Sequence, residues 1–237
     1  MTEMLFLEDM YLKDFEARVE QVIEERFLIL NRTAFYPKSG GVSFDTGILT
    51  RKPDGKSFNV ISVNKSERGI LHEVDEKGIR EGEVVHAKLN WDRRYELMRY
   101  HTAAHIISGI FWNQGGLKIS GNELDLGGGR MDFTLEDFDK QRIEDFVSQA
   151  NQIVERNLPV DVYYISRKEL ETDPSLVKLL TGFPRNIEHV RIVEIRGFDK
   201  QPDGGCHVLA TGEVGKIKLT KTKNKGKSNR RMYFELG

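Results

Sequence analysis

Short runs of apolar residues, partly at period two, recur through the first 90 positions. They occupy 27–31, 58–63 and 83–89, and Lys38-Ser39-Gly40-Gly41, Pro53-Asp54-Gly55 and Arg68-Gly69 break the chain between them. This pattern predicts short strands joined by turns, hence a small β-barrel or sandwich. The rhythm changes at Trp91. Leu97, Tyr100, Ala104, Ile107 and Phe111 recur at three or four residues, which predicts an amphipathic helix over 92–112. A second helix is expected after Thr134, whose hydroxyl can cap it with Asp137 three residues on. Its apolar stripe runs Phe138, Phe146, Ala150 and Ile153, and Pro159 lies just beyond its end. β-Branched residues predict strands at 160–165 and 190–195, with a third helix over 168–180. Ile217 and Leu219, then Met232, Phe234 and Leu236, alternate with charge and predict an antiparallel hairpin with its tip at 224–229. The expected class is α+β, with an N-terminal β-barrel domain over 1–90 and a mixed α+β domain with an antiparallel sheet over 91–237.

Composition narrows the class. A chain of 237 residues, 38% hydrophobic and 9% aromatic, has the profile of a soluble folded protein, and its length admits two domains. One cysteine cannot form an internal disulfide, the acidic N-terminus does not read as a signal peptide, and no apolar run approaches a membrane span. The expectation is a cytoplasmic protein without a membrane partner. Net charge is −1, yet 216–231 holds eight basic and no acidic side chains: Lys216, Lys218, Lys221, Lys223, Lys225, Lys227, Arg230 and Arg231. Such a run is either a solvated hairpin or a surface for a phosphate backbone.

His101 and His105 stand four apart in His-Thr-Ala-Ala-His within the predicted helix, so both imidazoles project from one face and can reach one divalent ion. Packing is the plainer role for such a pair. The position that would carry a metalloprotease's catalytic Glu is Thr102, which disfavours peptidase chemistry. Asp203-Gly204-Gly205-Cys206-His207 offers three donor types in five residues on a glycine turn. His207 can complete a three-imidazole set and leave an open coordination position, with Asp203 as a further donor. Cys206 is adjacent to His207, and in an extended segment the two point to opposite faces. Neither a P-loop nor a dinucleotide fingerprint nor a serine-hydrolase elbow occurs, so no nucleotide cofactor is expected.

Four blocks in this order resemble the editing domain of alanyl-tRNA synthetase and its free-standing relatives, the AlaX-type trans-editing proteins. Thr33-Ala-Phe-Tyr-Pro-Lys-Ser-Gly-Gly41 with Asp45-Thr-Gly47 is similar to one family block, and Trp91-Asp-Arg-Arg with His101-Thr-Ala-Ala-His105 to the segment holding the histidine ligands. Arg130-Met-Asp-Phe133 is similar to R-F-D-F, and Asp203-Gly-Gly-Cys-His-Val208 with Thr211-Gly-Glu-Val-Gly215 to C-G-G-T-H-V and T-G-E-I-G. Asp203 replaces the family's usual Cys ligand, Cys206 replaces Thr, and Val42 replaces Gln.

The resemblance implies a zinc-dependent hydrolase that removes serine or glycine from alanine tRNA in trans. Its implied metal ligands are His101, His105, His207 and Asp203, and its implied substrate contacts Arg130, Asp132 and Cys206. Thr33, and after it Ser39, are the candidate hydroxyls for telling serine from alanine, because a site built to hydrogen-bond a group rejects an analogue that lacks it. Lys221, Lys223, Lys225, Lys227 and Arg230 are the candidate tRNA contacts. Two other readings fit the residues: a non-catalytic zinc-containing RNA-binding module, and a metal-dependent hydrolase of a small ester or amide.

Overall fold

At Asp14–Ile23, Phe15, Ala17 and Val19 are buried while Asp14, Glu16, Arg18 and Glu20 are exposed, the period of a strand with one face on a core. The computed structural model describes residues 2–136, 139–173, 176, 188–226 and 228–237. The chain divides into two compact units, Met1–Leu97 and Met98–Gly237.

The first unit holds β1 (Glu3–Met4), β2 (Asp14–Ile23), β3 (Phe27–Leu30), β4 (Arg32–Thr33), β5 (Gly47–Arg51), β6 (Ser57–Ser66), β7 (Gly69–Val74) and β8 (Val84–Leu89). β1 and β4 pair in parallel. The other six strands form a closed ring in the order β2-β3-β7-β6-β5-β8, every pairing antiparallel. Inward-facing Phe15, Leu28, Leu49, Phe58, Val60 and Val85 fill its core. Each such fully buried side chain contributes about 1.5–3 kcal/mol of transfer free energy. Gly47 sits against the neighbouring strand, where a Cβ would lie 2.2 Å from the Lys88 carbonyl oxygen, so the glycine of Asp45-Thr-Gly47 permits this close approach.

Helix α1 (Trp91–Asn113) contains the division between the units. Asn90 caps it, its side chain accepting the Arg93 N–H at 3.2 Å. The helix is not simply amphipathic: every residue from 100 to 111 is buried. The expected stripe supplies only part of this burial, because Ala103, Ile106 and Ile110 on its other sides are buried too.

The second unit continues with β9 (Ile119–Asp125), β10 (Gly128–Thr134), α2 (Lys140–Glu155), β11 (Val160–Ser166), α3 (Arg167–Thr172), β12 (His189–Ile195), β13 (Asp199–Pro202), β14 (Ile217–Asn224) and β15 (Asn229–Leu236). Its antiparallel sheets run β14-β15-β10-β9 and β11-β12-β13. The mixed α+β class with antiparallel sheets therefore holds. Phe111, Phe133 and Phe146 tie α1, β10 and α2 together, with ring centroids 4.3 and 5.3 Å apart.

Two helix expectations need correction. Thr134 does not cap α2: it ends β10, and Asp139 is the cap, its carboxylate accepting the Arg142 N–H. A carboxylate next to the first turn displaces the more distant hydroxyl. Asp137 and Phe138 lie outside the described residues. The third helix stops at Thr172, with Ser166 and Glu169 forming its capping box and Asp173 at its C-cap. Of the rest of that expected span, only Asp173 and Leu176 are described. No described helix is long and apolar enough to cross a membrane.

Candidate metal centre

One turn of α1 and one five-residue loop build the centre, both within the second unit. His101 and His105, four apart, project from one face of the helix with ring centroids 5.1 Å apart. The 203–207 loop brings His207 against both, at 4.2 and 4.5 Å. The Nε2 atoms of all three converge on Asp203: His207 lies 3.1 Å from Oδ1, and His101 and His105 lie 3.5 and 3.8 Å from Oδ2. All four donor atoms lie within 4.8 Å of one another. Two ligands about 2.0–2.2 Å from a cation at a tetrahedral angle are themselves roughly 3.3–3.6 Å apart, so these separations suit a shared ion.

Gly205 makes the approach possible: a Cβ there would lie 2.3 Å from His101 Cε1, and any side chain would push the ring out of the cluster. Two residues that the sequence did not single out as functional hold the loop. Arg191 on β12 donates from Nη1 to the carbonyl oxygens of Asp203 and Gly205, at 2.9 and 3.0 Å. Thr102 lies 3.1 Å from His207 Nδ1, and its hydroxyl oxygen also accepts the Val208 N–H at 3.2 Å. With His207 Nε2 directed into the cluster, Nδ1 carries the proton and donates to Thr102. This fixes the tautomer as metal-ligating histidines require.

The protonation states agree with this arrangement. Burial pushes His101 down to about 4 against the opposing pull of the Asp203 carboxylate. His207 is held well below its ordinary value by burial and by repulsion from the other two rings. Burial alone would raise the Asp203 carboxyl, but the three imidazoles outweigh it and keep the group ionised. Neutral imidazoles, as burial favours at His101 and His207, and an ionised carboxylate, as at Asp203, are the forms that ligate a divalent cation. The Asp203 side chain is 21% exposed, against 0% for His207, so the cluster meets solvent at the carboxylate. The thiol of buried Cys206 is not among the four converging donors.

The other expected site residues lie elsewhere. Thr33 belongs to the first unit and is fully buried. His72 Nδ1 faces the Leu28 carbonyl at 3.2 Å and must donate to it, leaving Nε2 as an acceptor for the Thr33 hydroxyl at 2.8 Å. The Thr33 oxygen also accepts the Phe35 N–H, and retains one acceptor lone pair. Burial pushes His72 down to about 4, consistent with a neutral ring. Ser39 Oγ accepts from Lys65 Nζ at 2.8 Å. Asp45, in the same sequence block, forms a fully buried pair with Arg94. Arg94 Nε reaches both carboxylate oxygens at 3.0 and 3.1 Å, and its other nitrogens donate to the Met10 and Ala34 carbonyls. Asp45 Oδ2 further accepts the Tyr36 N–H, so this pair braces the first unit.

On β10, Arg130 bonds Glu123 at 2.8 Å, and Asp132 takes a two-point contact from Arg231 at 2.6 and 2.7 Å. Arg230 is a correction. It is 3% exposed, and its guanidinium donates to the Gly226 and Glu136 carbonyls and the Asn224 side chain, bracing the hairpin tip instead of meeting a phosphate. Strand alternation turns Arg230 inward between the outward residues 229 and 231. Lys221, Lys223 and Lys225 are exposed, and Lys227 lies outside the described residues.

Comparison with known proteins places this geometry. The family described as class II (A) tRNA synthetases matches residues 4–93, and the threonyl and alanyl tRNA synthetase second additional domain matches 190–233. The chain is 46% identical over 241 residues to the alanyl-tRNA editing protein AlaX-M of Methanosarcina barkeri, covering 100% of this chain and 99% of that protein. It belongs to the alanyl-tRNA editing protein family. The AlaX-M protein of Saccharolobus solfataricus is 40% identical, covering 99% of this chain and 98% of its own length. The alanine–tRNA ligase of Pyrococcus furiosus is 33% identical over 240 residues, but the match covers 26% of that enzyme. The family thus spans free-standing editors and a segment of full synthetases, and this chain has the length of the former.

Proposed function

We propose that the protein is an aminoacyl-tRNA hydrolase that acts in the cytoplasm and in trans on alanine tRNA carrying serine or glycine. We further propose that zinc is its metal. The convergence of three Nε2 atoms on the Asp203 carboxylate carries the reading. His101, His105 and His207 would hold the ion, with Asp203 as the fourth donor. A divalent cation there supplies Lewis-acid polarisation of an ester carbonyl.

The chain's own groups do the rest. Thr102 keeps His207 in one tautomer, Arg191 keeps the ligand loop closed, and the partly exposed Asp203 marks the side from which substrate and water enter. Thr33 is the proposed reader of the seryl hydroxyl, because His72 fixes its oxygen as an acceptor; Ser39 is the second candidate. Arg130, Asp132 and Cys206 are the proposed contacts to the substrate. Lys221, Lys223 and Lys225 contact phosphates, which position a nucleic acid without reading its sequence.

The test is incubation of alanine tRNA charged with serine, glycine or alanine, with and without a chelator. Serine and glycine are released, alanine is largely spared, and the chelator stops the reaction. A His101→Ala variant loses activity by more than about 100-fold, beyond the cost of disturbing an outer-shell partner. Full activity of that variant would reject the metal mechanism. Retention of all three esters by the wild type would favour a binding module.

A further inference from the structure

The outer face of the β14-β15-β10-β9 sheet is polar and unusually ordered. Register places Lys221, Tyr233, Arg130 and Glu123 in one cross-strand row, and Lys223, Arg231 and Asp132 in the next. Residues directly opposite share a face, and the alternate positions Phe234, Met232 and Met131 are buried on the other side. Lys223 stands opposite Arg231, a like-charge pairing that costs stability within a sheet. Arg231 is partly compensated by its two bonds to Asp132; Lys223 instead lies 5.5 Å from the Tyr233 ring centroid. Arg231 and Lys223 hold the Tyr233 phenol below its ordinary pKa, which marks a positive field at the ring.

Past Tyr233 the charge reverses. A hollow of about 250 Å³ is lined by Gly128, Gly129 and Thr220 together with three acidic residues, Glu123, Asp125 and Glu235, and one basic one, Arg130, which pairs with Glu123 at 2.8 Å. Phosphate would be repelled there, whereas a carboxylate accepts a hydrogen bond from an exocyclic amine of adenine or cytosine.

We propose that this face binds an unpaired RNA nucleotide, with its base stacked on Tyr233 and its amino group toward the acidic hollow, while the adjoining phosphates lie along Lys221 and Lys223. The inference rests on the tRNA reading above and adds a base-stacking subsite to it. Base–aromatic stacking is sequence-tolerant and combines with a basic track in single-strand binding, so the preference for amino-bearing bases comes from the acidic hollow alone.

The test uses fluorescently labelled oligo-A, oligo-C and oligo-U RNAs of about ten nucleotides, within the site sizes usual for such surfaces, titrated with the whole protein across a salt series. The expectation is that oligo-A and oligo-C bind more tightly than oligo-U. Tyr233→Ala weakens their binding about tenfold with little change in salt slope, while Tyr233→Phe binds like the wild type. Lys223→Glu instead flattens the salt slope. Thermal melting of each variant separates loss of binding from loss of fold. Wild-type binding by a folded Tyr233→Ala, or equal binding of all three RNAs, overturns the proposal. Hydrolysis of mischarged tRNA by the wild type, measured in parallel, tells the two readings apart: if it persists while the Tyr233 effects are absent, only the stacking subsite falls.

Discussion

Each unit buries a polar constellation, and the two differ in how they are satisfied. In the first, Arg94 and Asp45 answer one another and three backbone groups, and His72 sits between the Leu28 carbonyl and the Thr33 hydroxyl with a donor facing each acceptor. In the second, three imidazole nitrogens point at one carboxylate, and burial holds His101 and His207 in the form that leaves their inward nitrogens as lone-pair donors. Complementary partners make a brace, whereas converging lone pairs make a cradle for a cation. Burial of charge alone does not distinguish these; the direction of the donors does.

The largest expected effect tests the brace. Arg94→Met leaves the Asp45 carboxylate buried without its cation and costs about 3–5 kcal/mol, measured by denaturant unfolding. Metal content of the folded fraction stays unchanged if the constellations serve separate purposes, and a fall in metal content would erase the distinction. The next prediction concerns His72, which titrates near 4 when folded and near 6.5 when free. Between these values the unfolded chain binds a proton that the folded chain refuses. The stability is therefore fully present above pH 6.5 and drains as pH falls toward 4, by about 3 kcal/mol in all. Unfolding midpoints of His72→Gln and wild type, compared across that range, should show a shallower decline for the variant. Parallel declines would mean that His72 accepts protonation without loss.

A smaller effect sharpens the cradle. Thr102→Val keeps shape but removes the acceptor for His207 Nδ1, and metal affinity in chelator competition falls about 10–100-fold, equivalent to roughly 1.4–2.7 kcal/mol. No change would show that packing alone orients the ring. Smallest of all, Cys206→Ala leaves metal affinity unaltered, since the thiol is not among the converging donors; a marked drop would bring sulfur into the ligand set.

The sequence carried much of this arrangement, unevenly. Helix α1 was expected within one residue at each end, and the hairpin of β14 and β15 was expected with its turn, because both have regular spacing and clear stops. β2 was not read, although Phe15, Ala17 and Val19 alternate cleanly with charge; the signal was present in Asp14–Ile23 and a count of period-two matches would have found it. Cluster membership of His101, His105, Asp203 and His207 was legible because donor types crowd into two short segments. Arg191 and Thr102 were not, since an arginine within a strand and a threonine within a helix declare no partner until the chain brings distant loops to them. Arg230 was misread for a related reason: a run of positive charge conceals which members strand alternation turns inward.

The two histidines of α1 and the pair from the 203–207 loop are about a hundred residues apart in the chain. An ion gripped by both would act as a cross-link across that span, in a protein whose single cysteine can form no internal bridge. Closing so long a loop removes freedom from the unfolded chain much as a disulfide does. The cation would thereby fasten the late-synthesised loop to the earlier helix, and an unloaded chain should be the looser one.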